Sequence, residues 1–200
     1  MKKFLLCTLL LFVPAVSFAE NIPNASENNA GAIAKDQWNY YIAADMGMFL
    51  SEVEIHDDSF VDFGVSGALE FGAQYNRYRV GVALKDAAEV SGIFQALFGH
   101  TVGMENVSLR LNGYYDYVSR ESFAMYIGGG FGINHYEYEI KEQYSGRDDH
   151  KRGFSFAAGA NTGMSFGGGH MRFDIGFGVD YISFPNVVSY GPTVGLRYIF

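Results

Sequence analysis

Between Met171 and Tyr181 large apolar side chains take every second position. Met171, Phe173, Ile175, Phe177, Val179 and Tyr181 share one parity, and Arg172, Asp174, Gly176, Gly178 and Asp180 share the other. A period of two puts successive side chains on opposite faces, so this stretch reads as a strand with one apolar face and one face of glycine and charge. Val61 to Tyr75 repeats the arrangement, with Val61, Phe63, Val65, Leu69, Phe71 and Tyr75 set against Asp62, Gly64, Ser66, Ala68, Glu70, Gly72 and Gln74. Eight such segments follow one another, at 38–50, 61–75, 77–90, 104–118, 122–140, 153–166, 170–184 and 190–200. Asn76-Arg77, Ser119-Arg120-Glu121 and Gly167-Gly168-Gly169 read as tight turns. The connections 51–60, 91–103 and 141–152 read as longer, more charged loops, with a shorter tip at 185–189. Short turns at one end and longer loops at the other predict an all-β fold, an eight-stranded antiparallel up-and-down transmembrane β-barrel over residues 38–200.

The alternation alone does not say which face is inside. A water-soluble barrel would turn its apolar residues inward, whereas a membrane barrel turns them to lipid and fills its lumen with small and polar groups. The non-aromatic face here is dominated by glycine and alanine, which suits a narrow interior. On that face the parity places Asp45, Glu70, Asp116, Asp174 and Asp180 with Arg79, Lys85, Arg110, Arg172 and Arg197. Equal numbers of acids and bases permit pairing, without which buried charge is costly. The expected lumen is therefore an ion-paired, closed plug.

Composition and charge sharpen the class. Lys2 and Lys3 precede an apolar run from Phe4 to Val13, and Ser17 and Ala19 provide small residues before Glu20. This predicts a cleaved signal peptide over 1–19, a flexible polar periplasmic leader over 20–37, and the barrel over 38–200. The single cysteine, Cys7, falls in the signal segment, so the exported chain has no disulfide to rely on. The formal charge of −8, or −10 once Lys2 and Lys3 are removed, argues against nucleic acid as a partner. No cofactor is indicated.

Aromatic residues collect where the turns and chain ends should meet: Trp38, Tyr40, Tyr75, Tyr78, Tyr115, Tyr117, Phe123, Phe166, Tyr198 and Phe200. That is the placement of an interfacial girdle. The stretches YIGGGFGINHYEYE, RGFSFAAGANTGMSF and YGPTVGLRYIF, within residues 38–200, resemble the small eight-stranded outer-membrane barrels of the OmpX, opacity-protein and OmpA type. The resemblance implies a monomer in the bacterial outer membrane that contacts outer-membrane lipid and lipopolysaccharide and meets host or surface ligands through its outer loops. It also implies that Val194, Leu196, Tyr198 and Phe200 form an insertion signal read by the barrel-assembly machinery. Adhesins, porin-like narrow channels and lipid A-modifying enzymes share this architecture, so fold does not fix function.

Candidate chemistry is sparse. His135, with Glu137 two residues on and Ser155 or Ser145 within possible approach, is the one candidate base for an enzyme of the lipid A-modifying kind, and a tyrosine-flanked interfacial histidine is the plainer reading. Glu54, His56, Asp57 and Asp58 form an acidic loop that offers oxygen ligands to a divalent cation, or simply solvated charge. Ile93, Phe94, Leu97 and Phe98 recur at helical spacing in an expected outer loop, a contact surface or an upward extension of the third strand. The glycines of GGGFG at 128–132 precede no helix, and are expected to let inner side chains pass rather than to hold phosphate.

Overall fold

The computed structural model describes residues 37–55, 58–89, 100–142, 148–184 and 186–200. The expected signal segment and nearly all of the leader, together with Cys7, lie outside them. Eight strands form one closed barrel in sequence order. They are β1 (Asn39–Ile55), β2 (Asp58–Tyr75), β3 (Tyr78–Glu89), β4 (His100–Ser119), β5 (Phe123–Glu142), β6 (Asp148–Phe166), β7 (Met171–Ile182) and β8 (Asn186–Ile199). Every neighbouring pair is antiparallel, including β1 with β8, so no edge runs the length of the sheet.

The register fixes the barrel's dimensions. From Tyr41 the pairing runs through Gly72, Gly81, Asn112, Gly130, Gly159, Asp180 and Ser189, and re-enters β1 at Ser51. The sheet thus closes with a stagger of ten residues, which tilts the strands and leaves an interior that side chains can fill. A bulge between Asp116 and Val118 interrupts the β4–β5 ladder beside the turn end. At the β2–β3 turn Asn76 takes a left-handed conformation, with φ 53°, which asparagine tolerates better than most residues.

The face assignment follows the parity. Ile42, Met46, Met48, Phe71, Val80, Val82, Leu84, Leu109, Leu111, Phe131, Ile133, Phe173, Ile175, Phe177 and Val194 are exposed on the exterior, while Tyr41, Glu70, Arg79, Arg110, Asn134, Asp174 and Arg197 are buried within. An apolar belt this continuous would be untenable in water. In lipid it is the expected exterior. At the turn end Trp38 packs on Tyr75, Tyr78 on Tyr115, Phe123 on Phe166 and Tyr198 on Phe200, with centroids 5.2–5.4 Å apart. The first three of these contacts tie strand to strand around the girdle, and the last lies along the end of β8.

The outer connections differ from expectation. β1 and β2 stay paired to Ile55↔Asp58, and β4 and β5 to His100↔Glu142, so 51–55, 58–60, 100–103, 141–142 and 148–152 are strand rather than loop. Likewise β8 begins at Asn186, within the expected tip. Backbone pairing needs no contrast between the faces, so it continues where polar residues such as Glu52 and Glu54 take the lipid-facing parity. The period-two contrast fades while the ladder persists.

Candidate functional site

The lumen is built in three layers. The layer nearest the turn end is aromatic and ionic. Arg79 Nη2 lies 2.9 Å from Asp116 Oδ1, and its guanidinium sits 4.7 Å from the ring centroids of both Tyr114 and Tyr126. Arg197 donates to both carboxylate oxygens of Asp174, at 3.2 and 3.1 Å, and to Ser165 Oγ at 2.9 Å. Its guanidinium also lies 5.8 Å from the Tyr41 ring. Planar guanidinium groups suit such bidentate and stacked contacts. Just above, Glu70 accepts hydrogen bonds from Tyr41 Oη and Asn112 Nδ2, both at 2.5 Å, and from Tyr114 Oη at 2.8 Å.

The middle layer holds a chamber of about 110 Å³. Asp180 sits at its upper wall between Lys85 and Arg110, paired with both, and Arg110 also donates from Nε to Ser108 Oγ at 3.0 Å. Asp45 faces the same chamber from β1, without a hydrogen-bond or ion-pair partner among the described residues. Above the Asp180 pair lies a smaller cavity of about 40 Å³.

The outer layer starts with amides and hydroxyls and ends apolar. Asn134, fully buried, donates to Asn106 Oδ1 at 3.2 Å and Ser155 Oγ at 3.3 Å. Beyond it Met104, Tyr136, Ala157, Ile182 and Val187 pack as one buried cluster. Tyr136 also meets the Phe184 ring at 5.4 Å. Chambers of that size hold a few waters, each needing ~10–15 Å³ of such volume.

Nine of the ten residues expected to line the lumen face one another there, but they do not pair one to one. Arg172 is the exception. Its terminal nitrogens donate to the carbonyls of Gly167 at 2.7 Å and Glu121 at 2.8 Å, bracing two turns at the rim. The inward tyrosines were not anticipated from the sequence. A signal existed: Tyr40-Tyr41 and Tyr114-Tyr115 are adjacent pairs, and in a strand one of each pair must point inward. The inner glycines are their counterpart. A Cβ at Gly128 would collide with the Tyr114 ring, and one at Gly72 with the Tyr41 ring.

On the exterior, His135 stacks edge-on against Phe154, at 5.1 Å between centroids, near the outer limit of the apolar belt. Glu137 turns to His150, whose Nε2 donates to Glu137 Oε1 at 2.8 Å. That hydrogen bond holds the Glu137 carboxyl below the usual carboxylate range. Ser155 faces the lumen, where it accepts from Asn134, so the sheet separates it from the outward-facing His135. Nucleophile, base and orienting carboxylate are therefore not assembled at His135 among the described residues. Ser145, His56, Asp57 and the apolar set Ile93, Phe94, Leu97 and Phe98 lie outside those residues. Of the remaining acidic-loop pair only the backbone is described, with Glu54 opposite Ser59 and Asp58 opposite Ile55. No group of three or more His, Cys, Asp or Glu side chains able to hold a metal occurs among the described residues. At the chain end Val194 and Phe200 are exposed to the exterior, and Leu196 and Tyr198 share their parity. The Phe200 amide donates to the Tyr40 carbonyl at 2.8 Å, the last rung of barrel closure.

No protein-family model matches the sequence, and no curated protein does. Solved structures do match in shape. Neisserial surface protein A (NspA) superposes with a TM-score of 0.63 at 19% identity, over 80% of this chain and 97% of that one. Ail, the attachment invasion locus protein of Yersinia pestis, gives 0.54 at 16% identity, over 80% and 98%. A major outer membrane protein from Thermus thermophilus gives 0.56 at 12% identity, over 82% and 100%. With its lipid-facing belt, aromatic girdle and closed eight-strand register, this chain is a transmembrane β-barrel of the bacterial outer membrane, with the fold of the small eight-stranded barrels.

Proposed function

We propose that this protein is a non-enzymatic surface protein: a closed barrel that anchors, in the outer membrane, a projecting sheet which does the binding. The observation that carries this reading is unequal strand length. β4 and β5 have 20 residues each and β6 has 19, against 12 in β7. A tilted strand needs only ~9–11 residues to cross a bilayer, so roughly half of each long strand stands clear of it. Among the described residues β3 pairs with β4 up to Ala88↔Glu105, and β7 with β6 up to Ala157↔Ile182. Beyond those points β4, β5 and β6 stay paired to His100↔Glu142 and Lys141↔Asp148, and along 148–155 β6 has no second strand neighbour among the described residues. Projecting strand edges offer N–H and C=O groups to an extended segment of another protein. Lys151 and Arg152, exposed on β6, add cationic groups suited to lipopolysaccharide phosphates. Ail, of like fold, is named for attachment and invasion, and this proposal gives the present chain a comparable use.

Two features support a lumen that neither conducts nor catalyses: the side-chain layers at both ends of the chamber, and the separation of His135 from Ser155. Exchanging 91–103 and 141–152 for short turns is the test. Cells displaying the exchanged barrel should lose adhesion to host-cell and matrix surfaces, while unboiled protein keeps the altered gel mobility of a folded barrel. Adhesion that survives both exchanges overturns the reading.

The terminal residues Val194, Leu196, Tyr198 and Phe200 are read as the insertion signal for the barrel-assembly machinery. Deleting Phe200 removes one backbone rung and one girdle ring but none of the lumen contacts. The expected result is a several-fold lower inserted fraction in vivo with unchanged stability of the protein that does insert. Normal insertion of the deletion would refute the assignment.

A further inference from the structure

The lumen carries one acid more than the cations that face it. Arg79 is matched by Asp116 and Arg197 by Asp174, while Asp180 takes both Lys85 and Arg110. Glu70 is satisfied by neutral donors, two tyrosine hydroxyls and an asparagine amide. Arg172, which would have balanced the count, is turned to rim carbonyls. One net negative charge is left over among the described residues, and Asp45 is the carboxylate with no partner.

Asp45 lies deep in the barrel, and the surface it exposes is chamber surface. It projects across Gly195 of β8, where a Cβ would run into Asp45 Oδ1. Glycine at that position reserves the space the carboxylate occupies. The chamber also contains a second acceptor without a donor, the buried Asn161 Oδ1. Its walls therefore lack two things: hydrogen-bond donors for these oxygens, and one positive charge.

A chamber of about 110 Å³ admits several waters, since each needs only ~10–15 Å³ of such volume. Water supplies the donors. Neutral water does not cancel a charge held in a low-dielectric interior, where an uncompensated carboxylate is costly. We propose that the chamber binds one hydrated monovalent cation at the Asp45 carboxylate. The valence follows from the count, because a divalent ion would leave the chamber positive. Divalent ions also demand more oxygen ligands than a single free carboxylate contributes. The inference rests on the closed lumen proposed above, since in an open pore bulk water and salt would screen Asp45 and no resident ion would be needed.

The test uses the full barrel refolded in detergent, with choline chloride replaced stepwise by potassium chloride at constant ionic strength. The unfolding midpoint of the wild type should rise with potassium by mass action, and that of Asp45→Asn should not respond. A wild-type midpoint indifferent to the exchange, or a response that persists in Asp45→Asn, overturns the proposal. A second measurement needs no variant. Crystals grown in rubidium chloride should show anomalous density beside the Asp45 carboxylate. Absence of that density, with an infrared band of a protonated carboxylic acid in its place, would mean that Asp45 is neutral and the site does not exist. Planar-bilayer conductance reads the closed lumen separately: steady current through the wild type would show that the underlying reading had failed, whatever the salt experiment gave.

Discussion

Asp180→Ala is expected to lower the unfolding free energy by about 3–5 kcal/mol, the range for removing one partner of a buried ion pair. Asp180 is paired with both Lys85 and Arg110, whose side chains are 22% and 8% exposed. Without it two cations face each other across the upper wall of the chamber, and neither has another acid as an ion-pair partner among the described residues. Truncation therefore loses two attractions and adds a repulsion. The urea midpoint of the refolded barrel, followed by the gel mobility of unboiled samples, is the readout. Asp180→Asn keeps the shape and the acceptor oxygen but not the charge, so it should fall between wild type and the alanine variant. A loss below about 1 kcal/mol for Asp180→Ala would place this pair with solvent-screened surface bridges, and the lumen would have to be wetter than described.

Arg79→Leu should cost a comparable amount, for a different combination of reasons. The Arg79 side chain is 5% exposed, pairs with Asp116 at 2.9 Å and lies 4.7 Å from the centroids of both the Tyr114 and the Tyr126 ring. Leucine preserves much of the volume, yet it strands the Asp116 carboxylate and loses both ring contacts. The double variant Arg79→Leu with Asp116→Leu separates these terms. Replacing a buried pair by apolar groups is often neutral or stabilising by ~1–4 kcal/mol, so the double variant should recover most of the single variant's loss. What it fails to recover measures the stacking on the two tyrosines, about 1–2 kcal/mol for desolvated cation–π contacts. A double variant no more stable than Arg79→Leu would mean that Asp116 was never stranded, and the ionic description of this layer would fall.

Much of this structure is legible from single residues. Parity in Met171–Tyr181 identifies the lipid face of β7, and the same reading places Glu70 and Arg79 inside. Strand ends at the tight turns are also legible, because Asn76 and the Gly167–Gly169 run tolerate the conformations that such turns need. The outer ends of β1, β2, β4 and β5 are not. There polar residues such as Glu52 and Glu54 take the lipid-facing parity, and nothing in the pattern marks where pairing stops. The inward tyrosines were equally hidden until the glycines opposite them came into view: Tyr114 needs Gly128, a residue on another strand whose identity means nothing without the register.

Which acid pairs with which base belongs to the same class of question. Ten charges on one parity specify a polar lumen, and sequence separation does not say that Lys85 and Arg110 would share Asp180, 95 and 70 residues away. The ten-residue stagger decides that, by setting the height of each strand against the next. It also turns Arg172 to the rim and leaves Asp45 without a hydrogen-bond or ion-pair partner among the described residues. The amino-acid sequence by itself determined a membrane barrel, through a period of two in hydrophobicity that only lipid outside and small polar groups inside can satisfy. The pairings, the side-chain layers and the unmatched carboxylate were decided by tertiary structure, because they depend on cross-barrel distances that no local pattern encodes.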